Sequence, residues 1–149
     1  MTLPPTGFVL VVEDSDEDFD TVLQAAREAS LPQEIRRAAT GGECLRLLAD
    51  CERERRTAPL LVLLDLNTPG EDGRAVLRAI RGNGQLRTMP IVVLSTSDNP
   101  RDLDFCYRNG VNAYHTKPVS FPAHLRTLRC IFDYWLGSVV LPAAPQHIP

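Results

Sequence analysis

A short aliphatic run that ends in an aspartate is the feature that most constrains the fold of this chain. Residues 60–64 are five consecutive aliphatic side chains, and Asp65 follows them directly. Pro59 precedes the run and a Pro-Gly pair follows shortly after it, which leaves little room for a helix. The pattern is typical of a strand buried on both faces. Asp65 then ends a central strand, where open α/β sheets bind ligands, although it also fits a simple cap of the next helix or turn.

The same pattern recurs along the chain. Residues 8–12 and 90–95 form two further buried strands, residues 34–39 a weaker edge strand, and residues 111–115 a short fifth strand. Segments with apolar residues at helical spacing separate the runs. Five strands that alternate with five helices predict a parallel sheet with right-handed crossovers. We therefore expect one doubly wound, three-layer α/β domain.

Composition excludes several classes of protein. The net charge of −3 provides no basic surface for a nucleic-acid partner. No apolar run approaches the roughly 18 residues of a membrane span, and the first seven residues lack the features of a signal peptide. We therefore expect no membrane partner and a cytoplasmic location. The four cysteines form no CxxC pair, so a zinc or redox site is not indicated, and we expect them to be buried as small apolar groups.

Polar side chains follow four of the five predicted strands. Glu13 and Asp14 follow the first strand, Asp65 ends the third, Ser95 ends the fourth and Lys117 follows the fifth. Because parallel strands bring their carboxyl ends to one edge of a sheet, we expect these side chains to converge. Three neighbouring carboxylates repel one another and need a cation. Mg²⁺ suits such oxygen ligands and leaves room for water and phosphate oxygens.

Each residue type in this group has a role in phosphoryl transfer. A carboxylate beside Mg²⁺ can attack phosphorus and form an aspartyl phosphate. Lys117 would supply a second positive charge, and the Ser95 hydroxyl would hydrogen-bond the phosphoryl group. Simpler interpretations exist for each residue singly: Glu13 and Asp14 as helix caps, Ser95 as a hydroxyl bonded to backbone, and Lys117 as a solvated surface lysine. Their joint occurrence at the strand ends favours the phosphoryl chemistry.

The chain resembles the receiver domain of two-component response regulators. Four stretches carry the resemblance: Val11-Val12-Glu13-Asp14, Leu64-Asp65-Leu66-Asn67-Thr68-Pro69-Gly70-Glu71-Asp72-Gly73, Val93-Leu94-Ser95-Thr96-Ser97 and Tyr114-His115-Thr116-Lys117-Pro118-Val119. The resemblance implies a flavodoxin-like fold with a five-stranded sheet of order 2-1-3-4-5. It also implies a receiver domain at residues 7–136, with an N-terminal tail at 1–6 and a C-terminal extension at 137–149.

The resemblance implies an acceptor and a metal site. Asp65 resembles the family's phospho-acceptor. Glu13, Asp14, Asp65 and the backbone carbonyl of Asn67 would bind Mg²⁺, with Mn²⁺ or Ca²⁺ as substitutes. Glu13 stands where aspartate is commoner in the family, so it would contact the metal either directly or through a water molecule.

The resemblance also implies a switch. Lys117 would pair with the phosphoryl group, and its bond to Pro118 is often cis in the family. Ser95, at a position where threonine is commoner, would move toward the phosphate. The ring of Tyr114 would then turn inward into the vacated space, so that a local change of charge biases a two-state element.

These features predict a single-domain response regulator that accepts phosphate from a sensor histidine kinase. It would not be an enzyme beyond self-catalysed phosphoryl transfer and slow autodephosphorylation. A metal-dependent phosphatase with an aspartyl intermediate is one alternative, but such enzymes usually carry a general acid two residues after the nucleophile, where this chain has Asn67. A phosphate-independent interaction module is another, and the retained Asp14, Asp65, Ser95 and Lys117 argue against it.

The C-terminal region predicts protein contacts. Five apolar residues share one face of the last helix, which by default packs on the core: Phe121, Leu125, Leu128, Phe132 and Trp135. Ile131, Tyr134 and Leu136 lie off this face, and residues 139–141 continue the apolar character, which indicates an interface. We expect a twofold homodimer through helices four and five, strand five and the tail. Residues 132–142 also resemble the single-domain regulators paired with bacterial phytochromes.

Overall fold

The computed structural model describes residues 7–67 and 73–142. The Pro-Gly turn after Asp65 and both chain ends, which enter the expectations above, lie outside these ranges. The strands and helices are, in chain order, β1 (Phe8–Val12), α1 (Asp16–Glu28), β2 (Glu34–Ala38), α2 (Gly41–Arg53), β3 (Leu61–Asp65), α3 (Gly73–Gly82), β4 (Ile91–Ser95), α4 (Pro100–Arg108), β5 (Ala113–Thr116) and α5 (Phe121–Phe132). A 3₁₀ turn (Gly84–Leu86) and a π-helical segment (Asp133–Ser138) complete the described elements.

The five strands form one parallel sheet in the order β2-β1-β3-β4-β5, which confirms the expected fold class. Asp65 is the last residue of β3 and pairs in register with Leu94 of β4. Ser95 ends β4 and pairs with Thr116 of β5. The register therefore brings the polar residues that follow the strands to one edge of the sheet.

Both faces of the sheet are covered, which explains the unbroken apolar runs. Val62 and Leu64 of β3 pack on the side of α2, α3 and α4. Leu61 and Leu63 point to the opposite side and pack against α1 and α5. All four side chains are at most 1% exposed, so each contributes about 1.5–3 kcal/mol of hydrophobic stabilisation. Burial on both faces holds β3 rigidly and thereby holds Asp65.

Glycine is required where α3 begins. A Cβ atom on Gly73 would lie 2.7 Å from the Cα atom of Leu66, which is closer than backbone atoms tolerate. Leu66 directly follows Asp65, so this close approach packs the start of α3 against the loop that leaves β3.

The buried face of the last helix is wider than the sequence predicts. Ile131 and Leu136, which we expected off the core-facing stripe, are buried at 2% and 9% exposure. α5 packs on the sheet and also contacts the neighbouring helix α1, so adjacent rows of its side chains are covered. The turn then widens in the π-helical segment, where the Val139 N–H donates to the Tyr134 carbonyl at 2.9 Å. Tyr134 is about half exposed, as its place off the stripe predicts, but Phe121 on the stripe is also about half exposed, so the expectation that it faces the core was wrong.

The burial of the cysteines and the hydropathy of the helices can be compared with the sequence expectations. Three cysteines are buried as expected, but Cys130 is exposed on α5, so the expectation for that residue was wrong. Within the described parts of the chain, no helix has the length and hydropathy needed to cross a bilayer.

Candidate functional site

Lys117 lies at the centre of the polar group that the sheet brings together. Its ammonium nitrogen donates hydrogen bonds to Glu13 Oε1, Asp18 Oδ2 and Asp65 Oδ2, each at 2.9 Å. Its backbone N–H donates to the Ser95 carbonyl at 2.7 Å, which fixes the loop after β5 to the end of β4. The side chain is only 9% exposed, so it is not a solvated surface lysine. One buried ammonium therefore neutralises part of a strongly acidic edge.

Asp18 is the member of this group that the sequence did not indicate. From the sequence, the acidic first turn of α1 predicts only a favourable interaction with the helix dipole. Asp18 lies in the first turn of α1, shortly after the loop that carries Glu13 and Asp14, and helical side chains lean back toward the amino end of the helix. This position was the signal that the sequence offered. It places a third carboxylate on Lys117, with its side chain 31% exposed.

The loop between β1 and α1 leaves Glu13 and Asp14 free for the site. Ser15, not either acid, caps α1: its hydroxyl accepts a hydrogen bond from the Asp18 N–H at 3.2 Å. The interpretation of Glu13 and Asp14 as helix caps was therefore wrong. Glu13 Oε2 accepts from the Ser15 N–H at 3.2 Å, while Oε1 binds Lys117. Glu13 is thus held at both carboxylate oxygens.

Three carboxylates form a group with the spacing of a cation site. Oxygen atoms of Glu13, Asp14 and Asp65 lie within 4.8 Å of one another. Glu13 and Asp65 are buried and Asp14 is exposed, so the group has a dry side and a solvent side. An all-oxygen donor set that is open to water fits a hard divalent cation such as Mg²⁺. The Asn67 backbone N–H donates to Asp65 Oδ1 at 2.9 Å, which orients that carboxylate.

The pKa values of Glu13 and Lys117 reflect the high density of charge in this group. Burial raises the pKa of Glu13 to about 7; the Lys117 hydrogen bond opposes this effect, and the nearby Asp65 charge adds to it. Burial acts to lower the pKa of Lys117, but hydrogen bonds to Glu13, Asp65 and Asp18 outweigh it, and the pKa lies above its usual range. Lys117 is therefore charged at neutral pH, while the carboxylates around it remain in excess.

Ser97 connects the site to β5 and α4. Its N–H donates to the Ser95 hydroxyl oxygen at 3.1 Å, and its carbonyl accepts from the Tyr114 hydroxyl at 2.7 Å. Its own hydroxyl donates to Asp102 Oδ2 of α4 at 2.6 Å. Ser95 is fully buried, and its hydroxyl oxygen is hydrogen-bonded to backbone in this conformation. This agrees with the simpler interpretation of Ser95 as a buried hydroxyl bonded to backbone. The loop after β4 thus joins Ser95, Tyr114 and α4 through one residue.

The described residues contain no cis peptide bond. The peptide bond between Lys117 and Pro118 is therefore trans, whereas the corresponding bond is often cis in the family that the chain resembles.

Comparisons with known proteins agree with this geometry. The response regulator receiver domain family matches residues 9–129. The response regulator Rcp1 of Synechocystis sp. is 36% identical over 141 residues, which cover 94% of this chain and 96% of Rcp1. The crystal structure of the Mn²⁺-bound form of Rcp1 superposes with a TM-score of 0.84 at 35% identity, over 93% of this chain and all of that one.

A second solved structure extends the similarity. The phosphorylated cyanobacterial phytochrome response regulator RcpA superposes with a TM-score of 0.86 at 32% identity, over 95% of this chain and all of RcpA. The matched residues span well over half of the chain, and the matched relatives are spanned almost completely. This protein therefore belongs to the response regulator receiver domain family of two-component systems.

Proposed function

We propose that this protein is a phosphorylation-activated switch whose Asp65 accepts a phosphoryl group from a phosphohistidine of a sensor histidine kinase. The observation that carries the proposal is the placement of the Lys117 ammonium 2.9 Å from both Asp65 and Glu13, beside the exposed Asp14. A nucleophile, an acidic cation site and a fixed positive charge thus occupy one sheet edge. These are the parts that phosphoryl transfer requires.

The transfer follows from these groups. A carboxylate oxygen of Asp65 attacks the phosphorus atom, the bond between phosphorus and the imidazole nitrogen breaks, and the leaving nitrogen takes up a proton. Lys117 stays within reach of the phosphoryl oxygens and offsets their charge. Mg²⁺, held by Glu13, Asp14, Asp65 and the Asn67 carbonyl, would neutralise further charge on those oxygens. Asn67 has no acidic proton, so a phosphatase that needs a general acid at this position is disfavoured.

The switch uses the bonds of Ser97. A phosphoryl group on Asp65 offers new acceptor oxygens to the Ser95 hydroxyl. Turning toward them weakens the bond that Ser95 now accepts from Ser97. Since Ser97 also holds Tyr114 and Asp102, the change reaches β5 and α4. A local change of charge thereby alters an outer surface.

Beryllofluoride with Mg²⁺ tests the switch, because it mimics a phosphoryl group on a carboxylate. We expect binding only when Mg²⁺ is present, with shifts of the backbone amide NMR signals of Ser97, Tyr114 and the first turn of α4. Fluoride and Mg²⁺ without beryllium are the control. Binding that leaves the Ser97 and Tyr114 signals unchanged would contradict the switch, and no binding under any condition would contradict the phospho-acceptor as well.

We infer the kinase from a solved relative and the assembly from exposed apolar side chains. Because RcpA is described as a phytochrome response regulator, we propose a bacterial phytochrome as the kinase. Exposed apolar side chains on α4, after β5, on α5 and in the segment that follows it support a homodimer through α4, β5, α5 and the extension at 137–149: Tyr107, Val119, Phe121, Tyr134 and Val140. The part of that extension beyond residue 142 lies outside the described ranges.

The dimer is tested by light scattering at high micromolar concentration. We expect the mass of two chains for the wild type and of one chain for a Tyr134→Glu, Val140→Glu double variant, because charge on an apolar interface opposes its burial. Gln85→Glu, in the 3₁₀ turn after α3, is the control and should remain dimeric. A monodisperse wild-type monomer would refute the dimer without affecting phosphorylation.

A further inference from the structure

Arg37, at the end of edge strand β2, binds the loop that carries Glu13 and Asp14. Its Nε donates to the Glu13 backbone carbonyl at 2.8 Å, and its Nη2 donates to the Asp14 backbone carbonyl at 2.9 Å. Its Nη1 donates to Asp16 Oδ1 at 2.7 Å. A single guanidinium therefore holds three consecutive parts of the loop between β1 and α1. None of these bonds belongs to the phosphoryl chemistry itself.

The surroundings fix the guanidinium in this position. Arg37 pairs in register with Val11 of β1, and the Glu13 N–H donates to the Ala38 carbonyl at 3.0 Å, so β2 follows the loop past the end of β1. The guanidinium lies 5.1 Å from the centre of the Phe19 ring on α1. Its side chain is 24% exposed. The rigid planar fork of arginine allows bonds in three directions from one fixed group.

Electrostatics alone does not account for an arginine here. A positive charge beside a cation site repels the cation, and the Asp16 carboxylate that pairs with it is 91% exposed and contributes little stability. The favourable contribution must come from geometry. By fixing both backbone carbonyls, Arg37 restricts the peptide planes on either side of Asp14 and thereby restricts where the two carboxylates can point.

We propose that Arg37 is a positioning residue for the divalent-cation site and acts through the backbone of Glu13 and Asp14. The inference rests on the proposed function, since it assumes that these carboxylates bind the metal. Groups that orient metal ligands without touching the metal commonly change metal affinity by about 10–100-fold when they are removed. We expect a change in metal affinity at the low end of this range, because Glu13 and Asp14 keep their own backbone contacts.

Arg37→Lys separates geometry from charge. Lysine keeps the positive charge but has no planar fork to reach both carbonyls and Asp16 together. We expect Mg²⁺ to bind the metal-free variant about tenfold more weakly than the wild type in isothermal titration calorimetry. Arg36→Lys is the matched control: Arg36 is the preceding residue on β2, 34% exposed, and it lies over the Phe8 ring and pairs with Glu34 instead. Its Mg²⁺ affinity should stay within about twofold of the wild type.

Thermal unfolding with EDTA and with saturating Mg²⁺ separates positioning from a merely structural role. A positioning role predicts that the rise in Tm on adding Mg²⁺ at a fixed concentration is smaller for Arg37→Lys than for the wild type. A structural role lowers both Tm values equally and leaves the affinity unchanged, and that result would overturn the proposal. Arg37→Gln is the second variant, and failure of both variants to fold without metal would also overturn it. A wild type that binds no Mg²⁺ would instead contradict the proposed function.

Discussion

Asp65→Asn should abolish phosphorylation of this protein. With Mg²⁺ and acetyl phosphate, the wild type is expected to gain the mass of one phosphoryl group, whereas the variant should stay at background. Asparagine keeps the size and the hydrogen-bonding reach of Asp65 but replaces a nucleophilic oxygen with an amide nitrogen. Asp65 is 8% exposed and lies beside the buried Glu13. Removing its charge relieves repulsion, so we expect stability in EDTA to be retained or increased.

The control for Asp65→Asn is the same substitution on an exposed helix. Asp104 lies on α4, where it pairs with Arg108 at the surface, and Asp104→Asn should become phosphorylated at the wild-type rate. Intact-mass spectrometry followed by peptide mapping measures both variants. A phosphoryl group that appears on Asp65→Asn as fast as on the wild type would show that another residue is the acceptor.

Lys117→Met should produce the second large effect, on both chemistry and stability. The variant leaves Glu13 and Asp65 buried without the ammonium that now binds them at 2.9 Å. Removing one partner of a buried ion pair costs about 3–5 kcal/mol, and we expect about 3 kcal/mol near neutral pH in EDTA. The phosphoryl oxygens also lose a fixed positive charge, so we expect phosphorylation by acetyl phosphate to slow by about a hundredfold.

The stability that Lys117→Met loses relative to the wild type should grow as the pH rises. Burial raises the pKa of Glu13 from 4.5 to about 7, so between these values the folded protein binds a proton that the unfolded chain does not. Stability therefore falls as the pH rises through this interval. The hydrogen bond from Lys117 lowers the pKa of Glu13, so without it the interval extends above pH 7. Lys117 itself stays charged in both states there, because its pKa is raised further from an already high value.

Denaturant unfolding in EDTA at about pH 6 and about pH 8 measures this effect. The stability difference between wild type and Lys117→Met should be larger at the higher pH, and Mg²⁺ should restore more stability to the variant than to the wild type. Arg126→Met removes an exposed cation from α5 and should show neither effect. A pH-independent loss that Mg²⁺ does not reduce would mean that Lys117 acts by packing rather than by charge.

Much of the fold was predictable because the signals are local. β1, β3 and β4 are buried on both faces, and burial of this kind requires unbroken apolar runs that the sequence shows directly. The helices between them are amphipathic at the helical period. The last helix was less predictable, because α5 contacts both the sheet and the neighbouring helix α1, and because its wider turn after Phe132 brings Leu136 to the core. A single apolar stripe at the regular helical period predicts neither the second contact of α5 nor the wider turn.

The sequence by itself determined the fold class and which polar residues follow the strand ends, because a parallel sheet places those ends at one edge. Glu13, Asp14, Asp65 and Lys117 do converge there. Only the tertiary structure decided that Asp18 joins Lys117 and that Arg37 holds the acidic loop. These contacts join a helix or an edge strand to residues distant in sequence, and local periodicity carries no information about such distances. The long side chains of lysine and arginine span the gaps, so their partners depend on where neighbouring backbones lie.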